Sequence, residues 1–379
     1  MQLFKCSNCE QLLYFENTRC VKCNSSLGYV AGEAALLPIE TDEAGLWNEL
    51  GVTGHSFRRC ANSEIISCNW LIPELDAEPY CEACRLNSVI PDLSVADNLQ
   101  RWQRLEQAKH HLIHTLLQLG LPVVSRTIDP QYGLGFVFVA DADEPSEAGV
   151  PTFTGHLKGI ITINIAEADD AERERQRKAV GEPYRTLLGH FRHEIGHYYW
   201  DRLIGGLPIQ DQFRKIFGDD SVDYGEQLKA HYENGHAAQW QDHFVSAYAS
   251  AHPLEDFAET WAHYLHILDT LETAHAFGMV VQPGMAPIPS MTMSANFDPY
   301  CEPDFSRVVR AWLPLTFAVN SLNRSIGHAD LYPFVITPGI EEKLAFVHAL
   351  VRSFANKPAD SGALGHVDGD ADGVPPAAQ

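Results

Sequence analysis

Three features of the 379-residue sequence predict an α+β protein. Cys-x-x-Cys knuckles crowd the first 84 residues, runs rich in β-branched and aromatic residues lie between 121 and 168, and from 183 onward the chain reads mainly as helices. Composition bounds the rest. With 45% hydrophobic and 20% charged residues, and no uninterrupted apolar run near the ~18 residues of a membrane span, neither global disorder nor a transmembrane helix is expected. A formal net charge of −23 repels phosphate backbones, so nucleic acid is not an expected partner, and nothing points to a membrane. The opening MQLFKCSNCE lacks the basic stretch and apolar core of a secretory signal. The expected location is therefore cytoplasmic, where thiols stay reduced and cysteines serve as metal ligands rather than disulfides.

Cys6-Ser-Asn-Cys9 and Cys20-Val-Lys-Cys23 are two knuckles with ten residues between them, each able to wrap one side of a tetrahedral zinc ion. This spacing is that of a zinc ribbon. Cys60, Cys68 and Cys81-Glu-Ala-Cys84 supply a second four-cysteine set, with His55 able to replace one ligand. Cys301 has no companion and is expected to be a buried or half-buried free thiol.

From about 94 to 120, Leu99, Trp102, Leu105, Leu112, Ile113 and Leu116 recur at helical spacing, closed by Gly120. His110 and His114 stand one turn apart on this helix. No acid joins them, so a solvated face is expected. LPVVSRTI (121–128), GLGFVFVADA (133–142) and LKGIITINIAEA (157–168) read as strands. The segment 159–166 is placed to pair with an extended substrate by strand addition. The mixed-charge run 168–183 suits a solvated helix face or loop.

Pro183 fits the first turn of a helix running to Leu203 or Ile204, where Gly205-Gly206 stops it. Pro253 opens another helix. Beyond a Pro- and Met-rich connector at 281–293 come two helices around 304–323 and 339–355, and then a tail from 356 with the composition of a disordered segment. In that tail Asp368, Asp370, Asp372 and Gly373 imitate half a calcium loop, but Gln379 stands where the bidentate glutamate belongs, so calcium is not expected.

The segment HFRHEIGHYYW (190–200) carries His-Glu-x-x-His. On a helix His193 and His197 are offset by about 40°, so both imidazoles reach one ion from the same side. Glu194 points roughly 100° from His193, placed to act as general base on a metal-activated water. Tyr184, Leu188, Phe191, Ile195 and Tyr198 form an apolar face, and Thr186, His190, His193, His197 and Trp200 the opposite stripe.

Two histidines need a third ligand. The residue six after His197 is Leu203, which excludes the HExxHxxGxxH pattern. Downstream, Glu255 and Glu259 lie one turn apart on the helix that Pro253 opens. Glu255, in the first turn, is favoured as a carboxylate and is the candidate ligand; Glu259, on the same face, can hydrogen-bond the outer nitrogen of a ligating histidine. Asp256 points away. Tyr248 is either an oxyanion donor or a packed loop tyrosine.

HFRHEIGHYYW together with SAYASAHPLEDFAETWAHYLH resembles the gluzincin metallopeptidases. With CSNC, CVKC, RCANSEIISCNWL, GIITINIAEADDAERE and GEPYRTLLGHFRHE added, residues 1 to 275 resemble the bacterial zinc-binding metallopeptidases that carry an amino-terminal zinc ribbon. The resemblance implies a catalytic zinc on His193, His197 and Glu255, Glu194 as general base and Tyr248 near the oxyanion. It also implies a zincin-like domain in which a small antiparallel or mixed sheet accompanies the zinc helix. The expected organisation is a ribbon at 1–30, a second four-cysteine module at 31–94, the zincin-like domain at 95–275, a helical part at 276–355 and a tail at 356–379. One catalytic and one or two structural zinc ions, a peptide or protein substrate, and a protein partner at the ribbon complete the expectation. Two other readings stay open: a ribbon interaction module with an inactive hydrolase half, and zinc hydrolysis of a non-peptide amide or ester.

Overall fold

The structure is a computed structural model that describes residues 2–52, 54–140, 154–180, 186–236, 238–285 and 288–355. The expectations for Pro183, Tyr184 and the tail lie outside the described residues. The architecture is α+β, as the sequence predicts.

A small hairpin, β1 (Phe4–Lys5) with β2 (Leu12–Leu13), leads to an antiparallel meander of β3 (Ser26–Val30), β4 (Ala35–Thr41), β5 (Trp47–Glu49), β6 (Ser56–Arg59) and β7 (Leu71–Pro73). Strands this short bury little apolar surface on their own. Two clusters of four cysteine thiols supplement that burial, one at the hairpin and one beyond β6 and β7.

β8 (Asn87–Val89) leaves the cysteine-rich part and joins the second sheet, whose order is β10-β11-β9-β8. Its other members are β9 (Gly135–Val139), β10 (Gly155–Leu157) and β11 (Ile160–Asn164). β9 pairs in parallel with both β8 and β11, while β10 runs antiparallel on the outside of β11. The substrate-pairing expectation for 159–166 is thereby corrected: β11 has a partner on each side, and the outer strands of the described sheet are β10 and β8. The stretch 121–128 is not a strand. It makes a single bridge, Ser125 to Leu134, because the two sides of β9 are already taken by β8 and β11.

α1 (Asn98–Gln118) crosses between the two halves of the molecule. The expectation of a solvated histidine face on it is wrong. His110 and His114 are both buried, because the ring cluster of Phe15, Tyr29 and Trp70 from the ribbon half covers that side of the helix. Cys301 also departs from expectation. It is exposed, in a turn closed by its own amide on the Asp298 carbonyl.

α2 (Asp170–Val180) carries the mixed charges, laced by Glu174 with Arg177 and Lys178. α3 (Leu187–Leu203) follows, with the Thr186 side chain capping it by accepting from the Gly189 amide. α4 (Gln210–Phe217) and α5 (Tyr224–Asn234) fill a region where the sequence pattern is silent. α6 (Pro253–Ala276) has Pro253 in its first turn and His252 as its cap. The β12 (Val280–Val281) and β13 (Met293–Ser294) pair precedes α7 (Phe305–Ser325) and α8 (Pro338–Ala355), each within two residues of its expected bounds.

One continuous apolar core runs from Phe4 to Val351 and joins both halves. Phe136 and Phe138 of β9 lie 5.7 and 6.4 Å from the Phe191 ring, which seats α3 on the sheet. Among the described residues no helix is long and apolar enough to cross a membrane.

Candidate functional site

The site forms where α3 packs on α6. Gly196 makes the approach possible: a Cβ there would stand 2.9 Å from Cα of Ala258 and 3.2 Å from Cβ of Trp261. With no side chain between them, the helices close until residues one turn away on each side meet. Behind the contact Arg192 pairs with Asp269, whose carboxylate also accepts from Thr115 Oγ1 at 3.0 Å and Tyr300 Oη at 2.7 Å. Four segments are thus locked around one buried acid.

On the facing side, His193 Nε2 and His197 Nε2 are 3.2 Å apart. Glu255 reaches across from the first turn of α6, with Oε2 3.1 Å from His193 Nε2 and Oε1 3.5 Å from His197 Nε2. A tetrahedral ion with bonds of about 2.0–2.1 Å requires ligand atoms about 3.3 Å apart, so the three edges fit one zinc ion. The donor chemistry fits as well. Glu255 Oε2 and Glu194 Oε2 are buried and accept no hydrogen bond among the described residues, leaving acceptor capacity that a cation or its water would use.

The surroundings favour positive charge at this point. Burial pushes the Glu255 carboxyl up, but the imidazoles of His197 and His193 outweigh it and hold it well below the usual carboxylate range. Glu259 Oε1 lies 2.7 Å from His193 Nδ1, and its Oε2 accepts from Ser246 Oγ at 2.6 Å. Burial is again outweighed, here by His193, and Glu259 sits at about 2. A carboxylate on Nδ1 makes that nitrogen the donor and leaves Nε2 bare toward the ion.

Glu194, on the same helix, turns toward His190, with Oε1 3.2 Å from His190 Nε2. His190 Nδ1 is in turn hydrogen-bonded to Glu167, which accepts from Thr154 Oγ1 at 2.5 Å. The Glu194 carboxyl is raised by burial and lowered more by His190 and the metal-facing imidazoles, so it stays an anion. Asp256 points away, as expected, to Lys343 of α8 at 2.6 Å.

Tyr248 begins the short turn before α6, with its ring 6.0 Å from that of His193. A second tyrosine was not foreseen. Tyr224, at the start of α5, donates to Glu255 Oε1 at 2.5 Å. Neither Tyr224 nor Glu167 and Ser246 carries a local signal, since each arrives from a segment whose own pattern shows only a cap or a turn. His190 belonged to the polar stripe, and that stripe was the one available clue.

The cysteine sets gather as expected. Cys6 Sγ is 3.7 Å from Cys23 Sγ, and Cys9 Sγ is 3.5 Å from Cys20 Sγ. In the second set Cys68 Sγ lies 3.7 Å from Cys81 Sγ and 3.9 Å from Cys84 Sγ, with Cys60 completing the group. Tetrahedral zinc with bonds of about 2.3 Å requires sulfurs about 3.8 Å apart, so both sets fit. All nine cysteines are free thiols. His55 is exposed and takes no part.

Residues 3–95 match a zinc-ribbon domain. Uncharacterized proteins of Mycobacterium bovis and of two strains of Mycobacterium tuberculosis are each 43% identical to this chain over 358 residues, covering 94% of it and 96% of their own length. No solved structure matches the chain. Residues 98–350, which hold the whole His193, His197 and Glu255 arrangement, match the family described as "Putative zinc-binding metallo-peptidase", and the chain belongs to that family.

Proposed function

We propose that the chain hydrolyses peptide bonds as a gluzincin-type zinc peptidase, with Glu194 as general base. One observation carries the reading: two imidazole nitrogens and a carboxylate meet at 3.1 to 3.5 Å with an unpaired Glu194 oxygen beside them. His193, His197 and Glu255 would hold a zinc ion, which would supply the Lewis acidity that brings a water toward ionisation at neutral pH and polarises a carbonyl. Glu194 Oε2 takes the proton of the attacking water and returns it to the leaving amine. His190, itself held by Glu167, fixes the other Glu194 oxygen so that Oε2 faces the reaction. Tyr224 orients Glu255, and the Tyr248 hydroxyl donates to the oxyanion.

An extended peptide lies along β10, the outer strand that packs beside α3. The cysteine sites are structural, and nine free thiols suit a cytoplasmic location. The test is Glu194→Gln. Digestion of a peptide library falls by about 10²- to 10⁴-fold while zinc content stays at the wild-type level; undiminished digestion defeats the assignment.

A further inference from the structure

The second cysteine set has neighbours that a mononuclear site does not use. His110 Nδ1 lies 2.6 Å from the Glu106 carbonyl oxygen, which has no proton to give, so Nδ1 carries the hydrogen. That leaves Nε2 as the ring's second coordination position. It faces two sulfurs, Cys68 Sγ at 3.4 Å and Cys84 Sγ at 3.6 Å. A cation placed between Nε2 and these sulfurs would take the position that the ring's outer proton holds when the imidazole is protonated. A side-chain carboxylate closes the same space: Glu106 Oε2 is 3.9 Å from Cys84 Sγ, and its other oxygen is held by Lys109 Nζ at 2.7 Å.

We propose that this site holds two metal ions. The second is a zinc-like divalent cation on the far side of the Cys68 and Cys84 edge, bridged to the first by those thiolates and bound by His110 Nε2 and Glu106 Oε2. Cys84, Glu106 and His110 are all buried and bring their ligand atoms within 4.8 Å of one another. An ion with bonds of about 2.3 Å to sulfur and about 2.0 Å to nitrogen sets its ligand atoms about 3.5 Å apart, which the two His110 contacts match. The hydrogen bond from Nδ1 to a carbonyl is the support a ligating imidazole needs.

There is also an entry. A cavity of about 390 Å³ is lined by Cys68, Glu106 and His110 together with Gln103 and Gln107, with room for a water to complete the coordination.

The full chain reconstituted with cadmium-113 tests this by NMR and metal counting. A thiolate bridge transmits coupling between the two cadmium nuclei, so the second cysteine site gives a pair of mutually split resonances. The ions at Cys6, Cys9, Cys20 and Cys23, and at His193, His197 and Glu255, give unsplit lines that report the other sites separately. In His110→Gln and Glu106→Gln the splitting collapses to one sulfur-rich resonance, and each variant binds one ion fewer than wild type. Absence of the split pair in the wild-type chain overturns the proposal without recourse to any variant. A split pair that survives His110→Gln overturns the ligand assignment. Wild-type metal counts in both variants mean that His110 and Glu106 only surround a single ion, and overturn it too.

Discussion

His193 is held from both ends, by the candidate ion on Nε2 and by Glu259 on Nδ1. Removing the outer carboxylate frees the ring to rotate and lowers its basicity, so Glu259→Ala weakens metal affinity about 10- to 100-fold. Competition with a zinc chelator reads this directly, and an unchanged affinity shows that Glu259 does not position the ring. The sequence made Glu259 visible because it stands one turn from Glu255 on the same helix. Tyr224 was invisible for the opposite reason. It meets Glu255 across 31 residues, and a single tyrosine at a helix start has no periodicity to betray it.

At the scale of elements, the site is a product of how closely α3 and α6 approach. Gly196, the fourth residue of HEIGH, packs with Ala258 and Trp261 of α6, and a methyl group there meets backbone as well as a side chain. Gly196→Ala forces the helices apart, at a cost of about 1–3 kcal/mol in stability, and it separates Glu255 from the histidines. Denaturant melts should show the loss together with weaker zinc binding; a variant as stable as wild type and binding zinc equally would refute the close-packing account.

The same scale explains which elements could be read. α3, α6, α7 and α8 show one apolar face and a cap or proline at the start, and all four were legible. The α1 histidines were not, because their covering partners Phe15, Tyr29 and Trp70 come from far upstream in chain order. Residues 121–128 have strand composition, but composition does not disclose that both sides of β9 are already occupied.

Across the whole molecule, the ribbon half and the half that carries His193, His197 and Glu255 share one core and one sheet, since β8 follows the last cysteine knuckle and pairs with β9. His114 sits in that junction, its Nδ1 2.7 Å from Tyr29 Oη, and burial pushes it from 6.5 down to about 4. Between those two values the unfolded chain carries a proton that the folded chain refuses. Stability contributed by the neutral ring is complete above 6.5 and declines as the pH falls toward 4. One proton amounts to about 1.4 kcal/mol per pH unit at the steepest. Urea midpoints measured across this range should fall less steeply in His114→Gln than in wild type, and identical slopes would contradict the burial of a neutral ring.

The convergence of α3 and α6 on one ion is examined most directly by counting zinc in Glu255→Ala against wild type, after both are dialysed against the same chelator. The account predicts one zinc fewer per chain in the variant, with the cysteine-bound ions retained. Equal counts in the two proteins would contradict it.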